Sequence, residues 1–145
     1  MAWASSVLPV GDELFVYYGG YARGHKVAPD RERQIGLARL KRDRYAALAP
    51  AGKEGGLLTR PLTWPEAGGL TVNARCGKGG AVSVQILDAE GRPRADLGEA
   101  EPVGGDVLAG EVRWPKGLAA LAGQVVRLQF ILRDASLFAW ECHEA

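Results

Sequence analysis

Several features are scarce in this 145-residue chain, and each shortage excludes a class of protein. No apolar run approaches the roughly 20 residues of a membrane helix, and the first residues lack the cationic and apolar segments of a secretion signal. Eighteen basic against 17 acidic side chains leave a formal net charge of +1. Such a balance provides no long-range field for nucleic acid or an anionic membrane. We therefore expect neither as a partner.

Cysteine and histidine are also rare. Two cysteines do not make a disulfide framework, and Cys76 and Cys142 each alternate in phase with apolar neighbours. The pattern predicts two free, buried thiols and favours a reducing, cytoplasmic location. The two histidines, His25 and His143, are far apart, and no short-spaced set of ligands predicts a metal site. We expect no metal and no cofactor. The sequence contains no Gly-x-Ser-x-Gly motif, so no serine nucleophile is predicted.

Period-two alternation of apolar residues dominates the chain, whereas helical periodicity is almost absent. Twenty glycines and eight prolines leave little room for long helices. The alternation predicts ten strands, at 4–10, 13–19, 34–40, 44–48, 57–62, 70–76, 81–88, 107–114, 125–133 and 137–142. One helical turn is predicted within 116–123, with Leu118 and Leu121 packing inward. Because neither sheet can bury its apolar face alone, the chain is predicted to be all-β, with a two-sheet antiparallel β-sandwich.

The composition changes at 49–56, a run rich in Ala, Gly and Pro that we interpret as a linker. Strands rich in aromatic residues and arginine precede it at 1–48, and the sandwich domain follows it at 57–145. One face of that domain is apolar. The alternate residues are polar: Asn73, Arg75, Ser83, Gln85, Arg127, Gln129 and Arg133. A polar sheet face is typical of solvated surface, and planar hydrogen-bonding side chains are also typical of a sugar-binding face.

Segments along nearly the whole chain resemble one family. They are 12–20 with His25, 35–43, 58–62, 87–93, 112–114, 121–130 and 135–138. In order and spacing they are similar to the last propeller blade and following β-sandwich of bacterial five-bladed β-propeller proteins related to glycoside hydrolase family 32. The resemblance implies a jelly-roll-like sandwich with the strands of 1–48 packed on it as a remnant blade. It also implies that the catalytic carboxylates belong to earlier blades, so we expect no enzyme activity.

Four residues are candidates for carbohydrate contact. Trp64 and Trp114 each precede a proline, and an aromatic ring exposed at a strand end forms a flat platform for a sugar. The alternative is that each ring closes one end of the sandwich core. Tyr21 and His25 lie in the loop between two N-terminal strands, where the resemblance implies a histidine near the substrate funnel of the propeller. The alternative for His25 is an ordinary exposed loop histidine.

The leading functional hypothesis is a non-catalytic β-sandwich module that binds carbohydrate weakly or serves assembly. One alternative is a structural self-association domain without a ligand. Another is a glycosidase-like site formed between subunits, using His25 and acidic loop residues. The aromatic cluster of Phe15, Tyr17, Tyr18 and Tyr21 is too apolar to leave in water, so either residues 4–48 fold onto the sandwich as an added layer or two chains cover each other. We expect a homodimer or larger homo-oligomer.

Overall fold

The structure, a computed structural model, describes residues 2–21, 33–66 and 68–144. The eight strands within these ranges are β1 (Ala2–Val10), β2 (Glu13–Tyr21), β3 (Arg33–Lys41), β4 (Glu54–Leu58), β5 (Leu62–Thr63), β6 (Gly68–Asp88), β7 (Asp106–Glu111) and β8 (Val125–Glu144). The same ranges contain two single-turn 3-10 helices, at Ala95–Leu97 and Ala119–Leu121. The all-β prediction is confirmed. The strands form antiparallel sheets of three and five strands, and the chain divides into compact units, Met1–Tyr45 and Ala46–Ala145.

The first unit is the three-stranded sheet, in the order β1-β2-β3. Phe15 of β2 lies between Leu8 and Arg39 of its two neighbours. Because successive side chains of a strand point to opposite faces, this register sorts the residues into two sets. One face carries Val7, Leu14, Val16, Tyr18, Ala38 and Leu40. The opposite face, which we call the mixed face, carries Leu8, Val10, Glu13, Phe15, Tyr17, Ile35, Leu37, Arg39 and Lys41.

The second unit is built on a long antiparallel ribbon of β6 and β8, in a sheet ordered β4-β8-β6-β7 with β5 also paired to β8. The sequence predicts four separate strands here, yet each pair is one continuous strand. The pairing is irregular at one place, where residues 77–80 of β6 lie opposite Asp134 of β8. A bulge of this kind bends a strand without ending it.

The bent ribbon encloses a single core. Residues from both sides of the bulge, such as Leu70 and Val72 on one side and Val84 and Ile86 on the other, belong to one buried cluster. The rings of Phe130 and Trp140, which lie on opposite sides of the bend in β8, have centroids 5.8 Å apart. The sheet therefore folds over itself into the two layers of a sandwich. Each large side chain buried there contributes roughly 1.5–3 kcal/mol, which fixes the strand register.

The connection between the two sheets differs from the prediction. Residues 44–48 are not a strand, since Asp43 turns the chain after β3 with a φ of 60° and only Leu48 forms a bridge, to Leu137. The 49–56 segment also overlaps β4, whose Glu54 pairs with Arg133 of β8. Pairing along β8 therefore draws this stretch into the second unit.

Two smaller predicted elements are the strand at 57–62 and the helical turn within 116–123. The predicted strand 57–62 is divided between β4 and β5, because Pro61 has no N–H to donate. The predicted helical turn is confirmed, with Leu121 buried and Leu118 packed against the core.

Candidate functional site

The two tryptophans predicted as sugar platforms are buried. Trp64 is 1% exposed and Trp114 is 8% exposed, so neither ring presents a flat face to solvent. The platform prediction is therefore corrected: both rings belong to the core cluster, as in the alternative that the sequence left open. The loop position predicted for Tyr21 is wrong, because Tyr21 is the last residue of β2, where it pairs with Arg33 of β3, and it is half-buried. His25 lies outside the described residues.

A cavity lies beside β6, beneath a segment that we call the arch, residues 93–103. Hydrogen bonds join the arch to the edge of β6 at both ends. The N–H of Arg94 donates to the carbonyl of Ile86 over 2.9 Å, and Val103 and Val82 exchange two bonds of 2.8 and 2.9 Å. Between these points the arch leaves the strand through the helix Ala95–Leu97. The volume of this partly open cavity is about 560 Å³, within the range of small-molecule sites.

The backbone of Val84 lines this cavity. Backbone groups of every second residue in a strand point to the same side, and both Val82 and Ile86 bond to the arch. The N–H and C=O of Val84 therefore also point towards the arch, and no hydrogen bond joins them to any described residue of it. Its side chain is buried in the core, so its backbone contributes the lining. A free donor and a free acceptor thus face any bound molecule.

Side chains of mixed character complete the cavity. Ser83 and Gln85 project from the outer face of β6, and Ile131, the register partner of Ser83, lies beside them. Glu99 of the arch and the buried ring of Trp114 contribute further surface. Within the described part of the chain, neither the Gln85 amide nor the Glu99 carboxylate has a hydrogen-bonded or ion-paired partner. The cavity therefore combines apolar surface with unengaged polar groups.

Arg94 holds the arch in place. Its guanidinium donates to both carboxylate oxygens of Asp96 at 2.8 Å and to the side-chain oxygen of Gln124 at 2.6 Å. The Gln124 amide in turn donates to the carbonyl of Ala120. The hydrogen bond from Arg94 lowers the pKa of Asp96 below its ordinary value. This network fixes one wall of the cavity to the turn before β8.

A second, more open cavity of about 340 Å³ lies at the bulge and is lined by Arg75, Cys76, Asp134 and Ser136, among others. Burial raises the pKa of the Cys76 thiol, which approaches the carbonyl of Val103 at 3.6 Å. A protonated thiol is a poor nucleophile, so this group has the character of a core residue. Both cysteines are free, as the alternation predicts, but they are half-buried rather than buried.

Metal-binding clusters and membrane-spanning helices are two further features that bear on function. Across residues 2–21, 33–66 and 68–144, no group of three or more His, Cys, Asp or Glu side chains is arranged to hold a metal ion. In the same ranges, no helix has the length and apolar character needed to cross a membrane.

Part of the cavity lies on residues that the sequence pattern indicates. Ser83 and Gln85 belong to the predicted polar face, whereas Asn73, assigned to the same face, is buried. Arg94 and Glu99 were not predicted as site residues. The sequence features that could have indicated these residues are the prolines near both ends of the arch and the acidic residues between the prolines.

Comparisons with protein-family models, with curated proteins and with solved structures find no match to this chain.

Proposed function

We propose that this chain is a non-catalytic β-sandwich module, of the kind that follows the propeller in glycoside-hydrolase-like proteins, and that it binds carbohydrate weakly. The binding site is the cavity beneath the arch. The observation that carries the proposal is the free N–H and C=O of Val84 in a cavity that also presents Gln85 and Ser83. A sugar offers hydroxyl groups that donate and accept, so it satisfies such a mixed set.

Apolar surface in the cavity supports the same class of ligand. The ring of Trp114 and the side chain of Ile131 line it together with Ala100 and Pro102. Sugar rings carry C–H faces that pack on apolar and aromatic groups while their hydroxyls bond to polar neighbours. Because Trp114 is buried, it contributes part of a wall rather than an open platform, which is consistent with weak binding.

The test is a titration of the protein with a panel of neutral oligosaccharides, followed by amide and indole chemical shifts in NMR spectra. We expect saturable shifts at Val84, Gln85 and the indole N–H of Trp114. Substitution Gln85→Ala should weaken binding about fivefold, which corresponds to roughly 1 kcal/mol, because it removes a polar partner without touching the core.

The matched control is Gln129→Ala. Gln129 is the register partner of Gln85 on β8, and it does not line the cavity. Its removal should change the dissociation constant by less than twofold. Equal effects of the two substitutions, or no saturable shift with any sugar of the panel, would contradict carbohydrate binding at this cavity.

A second candidate function, self-association, is favoured by the mixed face of the first unit. Five of its apolar residues are well exposed: Leu8, Val10, Tyr17, Ile35 and Leu37. Ile35 is 85% exposed. A charged margin borders them, where Arg39 pairs with Glu13 and also stacks 5.0 Å above the ring of Phe15. Exposed apolar residues within a polar margin are typical of protein interfaces.

Sedimentation of the unmodified protein and of an Ile35→Lys variant tests this second function. Ile35 makes little contact within the chain, so its replacement should leave the fold intact. We expect the unmodified protein to sediment as a homodimer or larger assembly and the variant to shift towards the monomer. A monomer at all concentrations would rule out self-association.

A further inference from the structure

We propose that the ligand of the cavity is a sugar with a free amino group, bound through Glu99; this inference rests on the carbohydrate function proposed above. Among the described residues that line the cavity, two carry a charge, Arg94 and Glu99. The charge of Arg94 is paired with Asp96, and three of its five N–H groups donate to the two carboxylate oxygens of Asp96 and to the Gln124 side chain. Glu99 has no such partner among the described residues.

Two arginines next in sequence to lining residues are also ion-paired, and Arg127, whose buried Nε has no hydrogen-bond partner among the described residues, does not line the cavity. Arg92 pairs with Asp88 and Glu90 at 2.8 Å, and the guanidinium of Arg113 pairs with Glu111 at 2.7 Å. These carboxylates raise the pKa of both arginines, so each positive charge lies beside a negative one. The interaction energy of a bound anion with such paired groups is small, whereas a bound cation meets an unpaired carboxylate.

One more cation lies near the arch. Lys116 acts on Asp96, where it contributes with Arg94 to the lowered pKa of that carboxyl. Lys116 does not line the cavity, and its charge is directed at a carboxylate that Arg94 already holds. The unbalanced charge within the cavity is therefore that of Glu99. An unpaired carboxylate repels uronic acids and sulfated sugars and attracts an ammonium group.

The ammonium group fits the neighbouring groups as well. A protonated amine donates up to three hydrogen bonds and accepts none, so it needs acceptors. Glu99 supplies a charged acceptor on the arch, and the carbonyl of Val84 supplies a neutral one on β6. The ring hydroxyls then remain for Ser83 and Gln85, and the C–H face remains for the apolar wall.

The experiment compares four ligands by calorimetry: a trimer of glucosamine, its N-acetylated counterpart, a trimer of galacturonic acid and trilysine. The first two differ by acetylation, which removes the charge but keeps the sugar ring. We expect the glucosamine trimer to bind at least fivefold more tightly than the acetylated one. Glu99→Gln should abolish that preference, because it removes the charge and keeps the shape of the side chain.

Glu101→Gln is the control, because Glu101 is an exposed acid of the same arch that does not line the cavity. Its substitution should preserve the preference. Equal affinities for the charged and acetylated trimers, with shifts at Gln85 for both, would overturn the amino-sugar inference and leave the carbohydrate function standing. Tighter binding of trilysine would overturn it in favour of a basic peptide. No binding of any sugar would overturn both proposals.

Discussion

Alanine substitution at three glycines of the bulge between β6 and β8 should lower the free energy of unfolding by different amounts. An ideal Cβ at Gly80 would lie 2.7 Å from the carbonyl oxygen of Arg133 and closer still to that of Asp134. Both obstacles are backbone atoms of the paired strand, so Gly80→Ala must push β6 and β8 apart. We expect this substitution to reduce the free energy of unfolding by about 3 kcal/mol, at the upper end of the usual range for overpacking.

The other two glycines should respond differently. A Cβ at Gly77 would lie 2.6 Å from the carboxyl carbon of Asp134, which belongs to a side chain that can rotate away. Gly77→Ala should therefore lower stability by only about 1 kcal/mol. Gly79 has open space around it but a φ of 78°, so alanine there should lower stability by about 1–2 kcal/mol through backbone strain.

The substitution Asp134→Gly separates these causes. It removes the carboxyl group and suits the φ of 41° at that position. Combined with Gly77→Ala it should recover most of the lost stability, whereas combined with Gly80→Ala it should recover none, because the carbonyl oxygens remain. Thermal unfolding of the single and double variants measures this, with about 4 °C expected per kcal/mol. A midpoint for Gly80→Ala within 2 °C of the parent would refute the reasoning.

Three further predictions concern the core, acid stability and thiol reactivity. Trp64→Ala should reduce the free energy of unfolding by about 3–5 kcal/mol, because the ring is buried, and urea unfolding should show a much smaller loss for Trp140→Ala, whose side chain is 36% exposed. The pKa of Asp88 is lowered chiefly by the backbone N–H of Arg92, and that of Asp96 is lowered chiefly by Arg94. A lowered pKa in the folded state stabilises the protein above the unfolded value of about 3.9, so stability should fall as the pH drops below about 4. Because burial raises the pKa of Cys76, its alkylation at neutral pH should be at least tenfold slower in the folded protein than in urea.

Each of these has a clear contrary result. Similar losses for Trp64→Ala and Trp140→Ala would contradict the assigned core. An Asp96→Asn variant with an unchanged acid-unfolding profile, compared by urea titration at several pH values, would remove the role given to the Arg94 pair. Alkylation of Cys76 as fast as that of a free thiol would show that the group is accessible.

The alternating pattern was sufficient to predict the core of the second unit. Val72, Val84 and Phe130 alternate with polar residues, and a sheet with one buried face places them inward. Continuity of the strands was not predictable in the same way. Glycine-rich 77–80 has the composition of a hairpin turn, and only the pairing opposite Asp134 shows that it is a bulge within β6.

The cavity could be predicted only in part. The outer face of β6 is visible in the alternation, so Ser83 and Gln85 were available as candidates. The arch was not, because its shape depends on hydrogen bonds at its two ends and on Gly98, which has a φ of 77°. The burial of Trp114 was not predictable either, because the sequence Trp-Pro does not indicate whether the tryptophan ring is buried or exposed.

The place of β8 in its sheet has a consequence for synthesis. It lies between β4 and β6, and it also pairs with β5, so three other strands pair with it. A ribosome makes roughly 5–20 residues per second, and the earlier strands wait for these partners while β8 is being made. During that interval their apolar faces are open to aggregation. Nascent chains of this protein should therefore depend on chaperone protection until translation has passed beyond β8.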